Sequence, residues 1–303
     1  MQLVAMLGGE EKVIELAGNG KISKELLDKA AVPDEELTKL GEQTRSATGL
    51  LQWMSPVRLD TKLMVHVLSR VMKAPSSAAS QVVYCVALKL MQTAEDGLTY
   101  GGPGRSSLEV TGAYKAFTSN VLMAAGSPWE ATGVYDATWG EPHKSVATSI
   151  YTVGGAAVDV ATVSIPCAPM SSAEAEIWAQ SWSIARGLYV IGVLRALGIV
   201  VPQQVMHMGN NSTAVDLAAD NASTTNVRHI LRRIAFSKEL CDAADGSFMP
   251  IKVGTDENAS DFMGKVVPKE KILRSLNWAM GREQQPEGAV LRAGSKSQPV
   301  MDR

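Results

Sequence analysis

The sequence predicts an α/β fold, a mixed sheet covered by helices and preceded by a mostly helical segment. Three observations predict it. Up to about residue 93, apolar side chains recur at three- and four-residue steps, the period of a helix. A Gly- and Pro-rich run at 97–107 then breaks that pattern. From about residue 133, two strand-like runs flank a Gly154-Gly155 turn, and helical and strand-like stretches alternate after them. Hairpin first and alternation second is the order expected of a mixed sheet with helices packed on it.

Taken in order, residues 11–31 read as one or two short helices broken at Gly18-Asn19-Gly20, with Ser23 placed to cap the second. Pro33, followed by Asp34, Glu35 and Glu36, opens another helix, because proline suits the first helical position and acids suit the first turn. Residues 44–53, 61–72 and 76–92 continue in helix, with Leu50, Leu51, Leu63, Val67, Leu68, Val71, Val82, Val83, Val86 and Leu90 at helical steps. The organisation that follows is a helical segment at 1–96, a linker at 97–131, an α/β domain at 132–281 and a disordered tail at 282–303. Gly101-Gly102-Pro103-Gly104 lacks the Lys-Ser/Thr of a phosphate loop and is read as a boundary. Within the domain, strands are expected at 133–138, 149–153, 156–164, 202–208 and 248–253, and helices at 211–219, 227–243, 256–265 and 269–280.

The longest helix should run from Ser171 to Gly198. Ser171 can cap it, Glu174 can reach back as a capping box, and Gly198 followed by Pro202 stops it. Ile177, Trp178, Ala185, Leu188, Tyr189, Val193, Leu194 and Leu197 form the stripe expected to face the core. Glu176 sits in the first turn, where the helix dipole alone would account for a carboxylate.

The chain is 303 residues long, 46% hydrophobic and 20% charged, which excludes a disordered protein and allows a substantial core. A formal net charge of −2 gives no general attraction to nucleic acid or anionic membranes. Cys85, Cys167 and Cys241 are odd in number and widely spaced, so neither a disulfide framework nor a cysteine zinc site is expected. No signal peptide or transmembrane segment is read, and an intracellular place, cytoplasmic or nuclear, is expected. His66, His143, His207 and His229 show no metal-ligand spacing, and His143 and His229 are expected to make structural hydrogen bonds. Trp139, Trp178 and Trp182 are read as packing residues.

Three acidic residues stand out against this order. Asp136 lies in the first strand, Glu176 at the start of the long helix, and Asp261 in a late helix. A sheet that gathers these three positions would crowd carboxylates together, which favours a hard cation such as magnesium or manganese. The chemistry attached to such a site is two-metal phosphodiester hydrolysis.

Six segments then carry a resemblance. VYDATWG (134–140) is similar to Tyr-Ser-Asp-Ala-Asp-Trp-Ala-Gly, and KSVATSIYTVGG (144–155) to a Lys-Ser-Thr-Ser-Gly hairpin. SSAEAEIWA (171–179) is similar to Ser-Ser-Thr-Glu-Ala-Glu-Tyr-Ile-Ala, and GNNSTAV (209–215) to Asp-Asn-Gln-Ser-Ala-Ile. RHILRRIAFSKE (228–239) is similar to Lys-His-Ile-Asp-Ile-Arg-Tyr-His-Phe-Val-Arg-Glu. VGTDENASDFMGK (253–265) is similar to Val-Pro-Thr-Glu-Glu-Gln-Leu-Ala-Asp-Ile-Leu-Thr-Lys. In this order they resemble the ribonuclease H domain of copia-type retrotransposon Pol polyproteins. Upstream, RSATGLLQW, RLD at 58–60 and GLTYG at 97–101 resemble the end of the reverse transcriptase before it.

The resemblance implies a ribonuclease-H-like mixed five-stranded sheet with helices on both faces. It implies metal-dependent hydrolysis of RNA in RNA–DNA hybrids, with Mg2+ or Mn2+ as cofactor. The implied partners are the hybrid or other nucleic acid and the rest of a reverse transcriptase polyprotein; no membrane is implied. The Tyr-x-Asp-Asp element of the polymerase is absent. Carried over by position, the metal ligands are Asp136, Glu176, residue 209 and Asp261. Residue 209 is glycine, so one ligand is missing and activity is expected to be impaired. Residues 158–166 lack the lysines usual there, while Arg228, Arg232 and Arg233 remain as a small basic face for nucleic acid. The rival expectation is a non-catalytic remnant that serves only as a structural or binding domain.

Overall fold

Apolar periodicity, caps and turn residues generate the helices of the first part of the chain where the sequence places them. The structure is a computed structural model. It describes residues 2–34, 39–95, 98, 131–140, 144–199, 201–242 and 246–282. The Gly101-to-Gly104 cluster, His143, nearly all of the linker at 97–131 and nearly all of the tail at 282–303 lie outside those residues, as do Glu35 and Glu36. Six helices come first: α1 Gln2–Met6, α2 Glu10–Ala17, α3 Lys24–Ala30, α4 Lys39–Met54, α5 Lys62–Arg70 and α6 Ser77–Gln92. The break at Gly18-Asn19-Gly20 separates α2 from α3, and Ser23 caps α3 by accepting from Leu26 N at 3.1 Å. Ser76 caps α6 in the same way on Ala79. Helix α6 buries Val82, Val83, Tyr84, Cys85, Val86 and Ala87 in succession, so it is covered on all sides. Around it Leu7, Val13, Leu27, Leu51 and Leu68 complete a core that belongs to this part of the chain.

The α/β part is a mixed five-stranded sheet in the order β3-β2-β1-β4-β5. Its strands are β1 Ala131–Ala137, β2 Val146–Val153, β3 Ala156–Ser164, β4 Val205–Gly209 and β5 Phe248–Lys252. The first three pair antiparallel, with Gly154 and Gly155 at positive φ in the β2–β3 turn. β4 then pairs parallel with β1, and β5 parallel with β4. A long helix, α7 Ser172–Ala196, supplies the crossover that a parallel pairing requires. The remaining helices are α8 Ser212–Ala218, α9 Leu231–Leu240 and α10 Lys269–Ala279.

Both faces of the sheet are covered. On one, Tyr135 and Ala147 pack under Ala175, Trp178 and Ala179 of α7. On the other, Ile150 meets Phe262, Leu276 and Ala279, and Val134 and Met208 meet Trp278 of α10. Helix α5 packs against β3, and Leu59 enters the cluster around Ile150, so the helical segment lies on the domain.

Two expectations about helices need correction. Residues 256–265 do not form one helix; they form two 3-10 turns, Thr255–Glu257 and Asp261–Met263, parted by a buried Asn258. The Asn258 side chain donates to Tyr135 O at 2.9 Å and its Oδ1 accepts from Ser260, and these bonds replace the helical ones. The stripe expected on α7 is also wrong in the second half of the helix, where Ala185 is exposed and Tyr189, Val193 and Leu197 are 74%, 39% and 53% exposed. Gln180, Ser181 and Ser183 are buried instead. Each has a partner: Gln180 donates to Tyr135 Oη at 2.8 Å, Arg233 donates to Ser181 Oγ at 2.9 Å, and Ser183 bonds Ser149 at 2.8 Å. A polar face that is fully hydrogen-bonded can be buried as readily as an apolar one, and hydropathy does not register it.

Candidate active site

The N-terminus of α7 is built as its sequence requires. Ser171 Oγ accepts from Glu174 N at 3.2 Å, and the Glu174 carboxylate reaches back to Met170 N at 2.7 Å. His229 Nε2 lies 3.2 Å from the same carboxylate, the structural role expected of it. This fixed start directs Glu176 inward to the end of β1, where the backbone N–H of Ala137 donates to its carboxylate. Asp136 is the next-to-last residue of β1, and Asp261 opens the second 3-10 turn, which packs on β1. Asp136, Glu176 and Asp261 are only 1%, 6% and 1% exposed.

The three carboxyl groups influence one another. Burial, then Glu176, then Asp261 push the Asp136 carboxyl well above its usual range. Burial is also the main cause that carries Glu176 up to about 8, against the pull of Lys265. Lysines are interleaved with these acids. Lys265 Nζ lies 3.4 Å from Asp136 Oδ2 and 3.0 Å from Asp261 Oδ1, while Lys271 Nζ holds Asp261 Oδ2 at 2.5 Å. Burial would lower the Lys265 amine, but Asp136 and Asp261 outweigh it and raise it. Asp136 Oδ1, Glu176 Oε2 and Asp261 Oδ1 remain buried without a hydrogen-bond partner, the last meeting Lys265 only as an ion pair. Asn210 Oδ1, just past β4, is likewise buried and unpartnered, while its backbone oxygen accepts from Lys252 Nζ at 2.6 Å.

The space beside Gly209 is filled by another residue. A Cβ built on Gly209 would lie 2.3 Å from Tyr135 Cζ and 2.4 Å from its hydroxyl. The Tyr135 ring is fully buried, stacked on His207 at 4.6 Å, with its hydroxyl held by Gln180 one turn beyond Glu176. The phenol thus occupies the space a side chain at 209 would need. The segment that 134–140 resembles carries Ser where this chain has Tyr135. Both differences from the resembled segments stand in the sequence, but spacing alone gave no reason to connect them.

As arranged, the acidic set does not fit a divalent ion. Among the described residues no group of three or more His, Cys, Asp or Glu side chains is spaced to hold one. Three carboxylate oxygens lack a hydrogen-bond partner, yet an ammonium stands between Asp136 and Asp261. The basic face is divided as well. Arg228 and Arg232 are exposed, whereas Arg233 stacks over Trp178 at 4.8 Å and is tied to Ser181. Trp178 stacks on Trp182, and Trp139, half exposed, donates to Pro169 O at 3.0 Å.

No protein-family model matches the chain. It is 25% identical over 258 residues, 85% of its length, to the Retrovirus-related Pol polyprotein from transposon TNT 1-94 of Nicotiana tabacum. The chain is related to retrotransposon Pol polyproteins. It spans 18% of the length of that copia-type Pol polyprotein, so the similarity concerns one stretch of a much longer protein. The mixed five-stranded sheet and its helices are consistent with the ribonuclease-H-like fold that the sequence predicts. No helix among the described residues of this Pol-related chain is long and apolar enough to cross a membrane, and all three cysteines are free.

Proposed function

We propose that this Pol-related chain is a retroelement-derived ribonuclease-H-like domain joined to the end of a reverse transcriptase. Its ancestral activity is hydrolysis of RNA in RNA–DNA hybrids, on Asp136, Glu176 and Asp261, and that activity is impaired in this copy. The observation that carries the reading is the meeting of three buried carboxylates from β1, α7 and the turn after β5, each with an oxygen that has no hydrogen-bond partner. A core seldom tolerates such a group without a task for it. Impairment follows from Gly209 and from the phenol of Tyr135 that fills its place. In this reading Arg228 and Arg232 meet nucleic-acid phosphates, while Arg233 orients the surface from behind. The rest of the polyprotein is the proposed protein partner.

The test is cleavage of a labelled RNA–DNA hybrid in Mg2+ or Mn2+ by three proteins. The unmodified chain should cleave weakly or not at all. Gly209→Asp with Tyr135→Ser and Lys265→Met, which supplies the carboxylate, the room for it and an opening for the ion, should cleave at least about tenfold faster. Asp136→Asn in that restored background should abolish the gain. Robust cleavage by the unmodified chain, lost in Asp136→Asn, would overturn impairment. A second reading, a non-catalytic remnant kept for folding or contacts, is favoured by the ammonium of Lys265 among the acids. Failure of the folded restored protein would favour it.

A further inference from the structure

The misfit between the acidic set and a divalent ion has one identifiable cause. Lys271 is fixed: it is only 9% exposed, holds Asp261 Oδ2, and donates to Thr255 O as well. It leaves Asp261 one further oxygen, and that oxygen faces Lys265 at 3.0 Å. Lys265 also reaches the Asp136 oxygen that is not orphaned, at 3.4 Å. The side chain of Lys265 is about a third exposed (34%) and borders a cleft of about 170 Å³ between the helical segment and the sheet. Lys24, His66, Arg70 and Lys144 line that cleft, with Asp28 the acid among them. An ammonium turned outward would meet Lys24, Arg70 and Lys144 with Asp28 against them, His66 being neutral, and turned inward it meets two carboxylates. Both sides of the cleft therefore favour the inward position.

We propose that Lys265 is a built-in counter-cation that stands where a divalent ion would stand between Asp136 and Asp261, so that the folded chain is independent of metal. The inference rests on the proposed reading of Asp136, Glu176 and Asp261 as an ancestral cation site. One ammonium carries one charge, and Asp136 Oδ1 and Glu176 Oε2 stay without partners beside it. Removing the ammonium leaves three buried acids whose remaining demand a hard divalent cation answers with oxygen ligands. Lys265 is thus a positioning residue for charge, and its removal should create a metal response that the natural chain lacks.

The experiment is thermal unfolding with Mn2+ alone as the probe, compared with EDTA. The melting temperature of the unmodified chain should be the same in both. Lys265→Met should melt lower in EDTA and rise by at least about 5 °C at saturating Mn2+, since an ion bound only by the folded state stabilises it by mass action. Lys265→Arg, which keeps the charge, should not respond, and Asp136→Asn placed on Lys265→Met should remove the response. Electron paramagnetic resonance of Mn2+ added to the unmodified chain decides the matter even if Lys265→Met does not fold. Stoichiometric binding that Asp136→Asn abolishes would overturn the counter-cation while leaving the cation-site reading intact. No Mn2+ response in a folded Lys265→Met would overturn both.

Discussion

Two buried charge clusters in this molecule have opposite characters. In the helical segment, Arg58 and Asp60 are 7% and 8% exposed and form a two-pronged pair at 3.1 and 3.0 Å. Arg58 also donates to Thr93 O at 3.0 Å and to Thr93 Oγ1 at 2.6 Å, and Lys89 meets Asp60 at 3.1 Å. Nothing on either side chain is left over, and the cluster ties the end of α6 to the turn before α5. At the end of β1 the same ingredients are present, buried acids and lysines, but three carboxylate oxygens have no hydrogen-bond partner. Buried ions are tolerated when paired and hydrogen-bonded, so the first cluster is explained by folding alone. The second holds more acids than lysines, a surplus that folding does not need, and burial pushes Asp136 and Glu176 toward the neutral acid. On the proposed reading, that surplus marks a disused site, where the first cluster is a joint.

The largest expected effect breaks the joint. Asp60→Ala would leave Arg58 buried without its anion and should destabilise the chain by about 3–5 kcal/mol in urea unfolding. Asp136→Asn, by contrast, replaces an acid whose charged form burial and its acidic neighbours already disfavour, and should change stability by less than about 1 kcal/mol. If the two substitutions cost the same, the clusters are alike and the contrast fails.

Next in size is the pair at the fourth position. Gly209→Asp alone drives a side chain into a ring it would meet at 2.3 Å, and should cost about 2–3 kcal/mol, the range of overpacked cores. Tyr135→Ser alone opens a cavity under α7. The double substitution should cost less than the two singles together by about 1–3 kcal/mol, as expected of neighbours in direct contact. Additive costs in unfolding experiments would separate Tyr135 from Gly209 and remove the explanation for the missing ligand.

The fold was legible because its signals are local. Ser23 and Ser171 do cap helices, Gly154-Gly155 does turn the hairpin, and the strands lie close to the expected ranges. The acids were legible as a set only through ordered motifs, because no spacing rule selects Asp136, Glu176 and Asp261 from 31 acidic residues. What was not legible is contact across the fold. Lys265 is four residues from Asp261 but 129 from Asp136, and the part it plays between them appears only when the turn after β5 packs on β1. The Tyr135–Gly209 contact joins neighbouring strands, and the buried serines of α7 are concealed from hydropathy by their hydrogen bonds.

The smallest effect is a pH dependence that belongs to neither cluster and so sharpens the comparison between them. His207 is wholly buried between Tyr135 and Tyr151, and burial pushes it down to about 3; burial and then Arg70 carry His66 down to about 4. Both are neutral when folded but take up a proton near 6.5 when unfolded. Their contribution is therefore fully present above about pH 6.5 and is lost as pH falls towards the folded values, by about 1 kcal/mol each at pH 5.5. Asp60 acts lower. Burial opposes its ionisation, but Arg58 and Lys89 prevail and depress the carboxyl, so its stabilisation fails only below about 4, the unfolded value. Glu176, raised to about 8, works in the other direction and favours the folded chain as pH falls through that value. The stability difference between the unmodified chain and His207→Gln, followed from pH 7.5 to 5, isolates the histidine, because the carboxylates are common to both proteins. That difference should shrink by about 1 kcal/mol by pH 5.5. A difference that stays flat would mean that His207 is protonated in the fold, and the acid sensitivity would have to be sought in the carboxylates at the end of β1.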